Sequence, residues 1–179
     1  MRAVYNYLEL CLAFKTGSMV VPEGWKMREI MSLWLAAALI GMTMGLSSER
    51  NEIEKFNHQL QELHLNMDTA GIFALWEDDG VDLMPDEAPM IGKKAIQTWV
   101  EGILARMPGY KVTKEELEFH DIHVSGDWAS EWALERQVVQ PPDGKEPIET
   151  HGKMALVLHR DVNGQWRIKQ EMWNAAPKQ

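Results

Sequence analysis

Trp166-Arg167-Ile168-Lys169-Gln170-Glu171-Met172-Trp173-Asn174 reads as a strand that runs almost to the chain end and sets two tryptophans and an asparagine on a sheet. Asn163-Gly164, just ahead of it, is a tight hairpin signal because both residues tolerate positive φ. Working outward, Pro141-Pro142-Asp143-Gly144 and Gly126-Asp127 punctuate the preceding sequence in the same way. Between these turns the chain alternates apolar and polar residues, which predicts strands at about 110–124, 127–140, 149–161 and 165–175. Four such strands joined by short turns form an antiparallel meander.

Upstream the periodicity changes. Ile53, Phe56, Leu60, Leu63 and Met67 recur at spacings of three and four, one apolar stripe on an amphipathic helix, with Ser48 as its cap and Glu49 and Glu52 in its first turn. Asp68-Thr69 restarts a short helix through Trp76, and Asp78-Asp79-Gly80 ends it. Val81 to Met84 is a short extended piece stopped by Pro85. A third helix, about Lys93 to Met107, carries Ile96, Trp99, Val100, Ile103 and Leu104 on a wide apolar face, and Pro108-Gly109 closes it. The expectation is an α+β domain over 49–179, with three N-terminal helices packed on one face of a curved antiparallel sheet.

Residues 1–48 read as a leader. Ile30 to Ser48 carries no charge, Lys26 and Arg28 precede it, and Gly45, Ser47 and Ser48 follow its apolar core. A basic flank, an apolar core and a small-residue exit predict a secretory signal at about 27–48, with Met27 as an alternative initiator and the domain exported to the periplasm or secreted. An uncleaved membrane anchor is the second reading, because the stretch approaches the roughly 20 residues a spanning helix needs. A buried helix is the third.

The net charge is −9, and from Glu49 onward 24 acidic residues face 14 basic ones. That sign argues against a nucleic-acid binder, which needs Lys and Arg to displace counterions from phosphate. Cys11 is the single cysteine, so no disulfide framework or thiolate metal cluster is available. No Gly-rich phosphate loop, nucleophile elbow or zinc-helix motif is present in the sequence. No cofactor and no metal are expected.

Trp76-Glu77-Asp78-Asp79-Gly80, Leu83-Met84-Pro85, Ala88 to Ile96, Ser125 to Ala129, His151-Gly152-Lys153, and Gly164 to Asn174, in this order, resemble the NTF2-like superfamily. Within it the chain is similar to the SnoaL-like and DUF4440 group. The resemblance implies a cone-shaped, cystatin-like fold with a ligand cavity between sheet and helices, and a homodimer formed through the sheets. It leaves activity open, because this fold hosts isomerases, cyclases, dehydratases and binding modules. In the ketosteroid-isomerase branch the general base is an aspartate just before the proline that ends the first strand. Here Met84 takes that place, and a thioether accepts no proton. Asp82 is the candidate displaced acid, set against the reading of a solvated strand-start aspartate.

The final hairpin supplies the other candidates. With Asn163-Gly164 at its tip, His151 falls opposite Asn174 and Ala155 opposite Gln170. His151, Lys153, Gln170 and Asn174 then share a face with Trp166 and Met172, which the cone fold would turn into its cavity. There His151 could serve as acid or base, with Gln170 and Asn174 orienting a polar group. A one-residue slip would turn the set outward, and the plain alternative is a wet His151 at a frayed sheet end. Trp76, Trp99 and Met84 are the candidate apolar lining, with core packing as their alternative. His120 and His123, three apart in a strand, point to opposite faces unless a bulge intervenes, and His58 and His64, six apart on a helix, share none. Glu131 and Glu135 are expected in solvent, a buried acid of raised pKa being the alternative. The function expected is binding of a small, largely apolar molecule in the cone. The alternatives are an isomerase, cyclase or hydrolase using His151 or Asp82, and a dimeric association module.

Overall fold

The computed structural model describes residues 49–178. The leader, with the signal, anchor and initiator readings attached to it, and the Ser48 cap lie outside them. Helix α1 covers 49–65. Its apolar stripe is packed hard, with Ile53, Phe56 and Leu60 all buried. Asn57 and His64 continue the same face at i+4 and i+11 from Ile53. Asp68 then caps α2 (Thr69–Ala74), its carboxylate accepting from the Gly71 N–H at 2.9 Å.

The second helix stops two residues earlier than the sequence suggests. Trp76 opens strand β1 (Trp76–Leu83), which hairpins with β2 (Met90–Ile91). Helix α3 (Lys93–Ala105) follows, so the third helix comes after two strands rather than ahead of the sheet. Glu77-Asp78-Asp79-Gly80, which resembles a turn, is instead an irregular part of β1 where its register against its neighbour shifts. Gly80 belongs there because a Cβ would press on the Trp76 ring.

The meander is β3 (Lys111–Ser125), β4 (Trp128–Gln140), β5 (Ile148–Arg160) and β6 (Trp166–Ala175). The sheet is larger than the meander and mixed, with order β2-β1-β6-β5-β4-β3 and β1 parallel to β6. Parallel pairing requires a long crossover, and everything between β1 and β6 supplies it.

One face of the sheet meets α1. Leu117, Ala129, Ala133, Met154, Leu156, Leu158, Trp166 and Ile168 form one buried cluster with Ile53, Phe56 and Leu60. Alanines at 129 and 133 leave space for the larger side chains of α1. Four polar tethers fasten the helix across four strands: Gln61 Oε1 accepts from the Leu117 N–H (3.2 Å), Asn57 donates to Glu131 (2.8 Å), Arg160 pairs with Glu52 (3.1 Å), and Trp166 Nε1 donates to Glu52 (3.2 Å).

The register of the last hairpin differs from the expected one. Lys153 opposes Asn174, Ala155 opposes Met172 and Val157 opposes Gln170, and a bulge follows before Leu158 opposes Ile168. The bulge splits the expected face in two. Trp166 and Ile168 point into the core, while Gln170 and Met172 are exposed on the outer side. Glu171 and Trp173 replace them on the inner face.

Candidate functional site: an acidic tier under helix α1

Inward-facing positions at one end of the sheet are polar. Glu115 on β3, Glu135 and Gln137 on β4, Glu171 and Trp173 on β6, Asp82 on β1 and His64 on α1 form a tier beyond the apolar cluster. The register explains their meeting: Glu115 opposes Gln137, Met154 opposes Trp173, and Glu171 lies between Leu156 and Asp82. Gln137 Nε2 donates to Glu115 Oε2 at 2.8 Å, and Trp173 Nε1 donates to Glu135 Oε2 at 2.6 Å. Gly152 is required beneath this last bond, because a Cβ there would collide with both the indole nitrogen and Glu135 Oε2. His64 Nδ1 stands 3.8 Å from Glu115 Oε1.

Crowding acids away from water favours their neutral forms. Desolvation lifts Asp82 to about 6 against one backbone hydrogen bond at Leu83. Desolvation, then the charge of Asp82, lifts Glu171 to about 7. Glu135 rises to about 6 through desolvation and the neighbouring Glu115 carboxylate. At His64 burial opposes the imidazolium, but Glu115, Glu171 and Glu135 together outweigh it and raise the pKa above its ordinary value. Asp82 is 4% exposed and its Oδ1 has no hydrogen-bond partner. The arrangement therefore holds a carboxyl group ready to exchange a proton near neutral pH.

A second buried acid lies apart from the tier. Glu131, 5% exposed, takes a hydrogen bond from Asn57 and is lifted by desolvation to about 7. Asn57 also lines a cleft of about 160 Å³ between α1 and β3, with Arg50, His58, Gln61 and Phe119 around it.

Several sequence expectations change here. Asp82 is buried, not solvated at a strand start. Glu131 and Glu135 face inward with Ala129 and Ala133, not into solvent. His151 is on the outer face, its Nε2 2.9 Å from Glu149, so it is remote from the tier. His120 and His123 do share a face: a bulge at Asp121 (φ 49°) sets them opposite Trp132 and Ser130, and His120 stacks on Trp132 with ring centroids 4.1 Å apart. Trp76 is a core residue of β1, 4% exposed, rather than a helical lining residue. Of the proposed ligand-binding set, Met84 and Asn174 come together in a cleft of about 200 Å³ with Leu83, Pro85, Glu87 and Met172. Trp99 joins them indirectly, donating to Glu87 at 3.2 Å. Gln170 is exposed on the outer face. The expected apolar cup is thus an apolar core with an acidic end, and sequence reading missed His64, Glu115 and Glu171. A signal for one of them existed: His64 continues the stripe of Ile53, Asn57 and Leu60.

The family model described as SnoaL-like domain matches residues 46–170. No curated protein matches the sequence. Among solved structures, a ketosteroid isomerase-like protein from Erwinia carotovora atroseptica is 15% identical with a TM-score of 0.61, covering 72% of this chain and 96% of that one. An NTF2-like protein with a cystatin-like fold from Novosphingobium aromaticivorans is 18% identical with a TM-score of 0.63, covering 78% and 90%. An NTF2-like protein from Pseudomonas putida is 23% identical with a TM-score of 0.58, covering 74% and 89%. At these identities the likeness is one of fold.

Proposed function

The chain belongs to the SnoaL-like domain family, and from that premise we propose that it is an exported acid–base enzyme acting on a small organic molecule at the acidic tier. Asp82 carries the proton. The observation behind this reading is a carboxyl group 4% exposed, with a free Oδ1, placed beside Glu171 on the inner face. A carboxylate of raised pKa accepts a proton from carbon and returns it either to another carbon, as an isomerase does, or to a leaving hydroxyl that departs as water, as a dehydratase does. The naming of one structural neighbour as ketosteroid isomerase-like agrees with that class. The substrate would set a carbonyl or hydroxyl against Asp82 and an apolar body against Trp173. Export rests on the uncharged apolar run Ile30 to Ser48.

Solvent deuterium exchange into a panel of small ketones, followed by NMR, tests the proposal. The wild-type chain is expected to exchange α-hydrogens faster than buffer, and Asp82→Asn to lose about 100-fold or more of that rate while remaining folded. Absence of exchange with wild type, or an unaffected Asp82→Asn variant, removes the reading. A second reading is a binding module without catalysis. It is favoured by Met84 standing where the resemblance implies a base, in a cleft shared with Asn174. A co-purified ligand that survives incubation unchanged would select it.

A further inference from the structure

We propose that His64, Glu115 and Glu135 bind a divalent transition-metal ion. Three elements far apart in sequence, α1, β3 and β4, each deliver one donor atom, and these atoms all lie within 4.8 Å of one another. That spacing admits an ion and leaves no room for an organic molecule between the donors. Metal bonds of roughly 2.0–2.2 Å from imidazole nitrogen and carboxylate oxygen need only a modest contraction of the group.

The hydrogen bonds around the donors are those of an outer shell that aims ligands. Each carboxylate has its Oε2 held by an N–H group: Gln137 on Glu115, Trp173 on Glu135. The remaining oxygen of Glu115 is the informative one. The Glu115 side chain is 0% exposed, its Oε1 has no hydrogen-bond partner, and it is directed at His64 Nδ1 from 3.8 Å. That distance is too long for a hydrogen bond. An imidazolium alone therefore leaves the buried acceptor unsatisfied, whereas a cation between the two would satisfy it. One imidazole with two carboxylates and no thiolate suits Zn²⁺, Co²⁺, Mn²⁺ or Fe²⁺. Three protein ligands leave a coordination position for water or an oxygen ligand, as in catalytic metal sites. This goes beyond the acid–base reading and does not rest on it, because Asp82 is not a donor.

The test uses the full chain, stripped with chelator and titrated with Co²⁺ by visible absorption and with Zn²⁺ by calorimetry. One ion per chain is expected, with micromolar or tighter affinity and a ligand-field band of a low-coordinate site. His64→Ala and Glu135→Gln should weaken binding beyond the roughly 10–100-fold that loss of an outer-shell partner costs, and Trp173→Phe by about 10-fold. Glu131→Gln, at the separate buried acid, should bind as wild type does. Circular dichroism checks that each variant is folded; if His64→Ala is not, the isosteric Glu115→Gln takes its place. No uptake of either ion by folded wild type overturns the proposal, as does uptake that these ligand substitutions leave unchanged. Neither result depends on turnover, so failure here is distinct from failure of the Asp82 reading.

Discussion

Glu131 shows how a single side chain sets a pH dependence. Its carboxyl is 5% exposed and shifted up to about 7 by desolvation, from an ordinary value near 4.5. The folded state therefore holds its proton where the unfolded chain has lost it. Stability contributed by the neutral form is fully present below about pH 4.5 and is lost as pH rises toward 7. Glu131→Gln, permanently neutral, should be more stable than wild type at pH 8 by up to about 3 kcal/mol and nearly equal to it at pH 4. Urea unfolding at the two pH values measures the difference, and an equal gain at both would mean that ionisation is not the cause. Gly152 gives a second residue-scale prediction. Gly152→Ala drives a methyl into Trp173 and Glu135, so a loss of about 1–3 kcal/mol is expected by the same measurement, with a red-shifted tryptophan emission as that indole is displaced.

Among the elements, α1 is the one whose docking decides whether the acidic tier exists. Leu60 is 1% exposed between Ile53 and His64 on the packed stripe. Leu60→Ala should cost about 2–5 kcal/mol and raise hydrogen exchange in α1 before that of β4 and β5. Uniform exchange across all elements would show that helix and sheet unfold as one. The elements also show what the sequence could reveal. β3 to β6 were legible to within a residue or so because alternation and Gly/Asn/Pro turns are local signals. Of β1 only the end, Val81 to Leu83, was legible, since Glu77-Asp78-Asp79-Gly80 has the composition of a turn and its strand state is imposed by pairing with β6. The inner face of the last hairpin was misread for a related reason. Its period is local, but the bulge between Val157 and Leu158 that resets it is not encoded by any turn residue. His64 and Glu115 lie 51 residues apart in the chain, so their meeting depends on the docking of α1, which no spacing rule supplies.

For the molecule as a whole, the outer sheet face remains to be accounted for. Trp128 (47%), Trp132 (39%) and Met172 (47%) are all exposed on that face, on β4 and β6. Apolar groups gathered on one face are what an association surface presents, and the homodimer implied by the resemblance would cover them. Trp132→Glu should then shift the protein from dimer to monomer in sedimentation velocity while leaving its circular dichroism unchanged. A wild type that sediments as a monomer at all concentrations sinks that idea.

β6 runs between β1 and β5, yet it is synthesised after both. While the ribosome is still extending the chain, β1 has only the two-residue β2 to pair with, and the apolar underside of the sheet is open along the missing ribbon. Closure of the sheet must therefore wait for β6 to clear the exit tunnel. A message truncated before Trp166 would release a product with two raw strand edges, a substrate for holdase chaperones and proteases rather than a shortened but working protein.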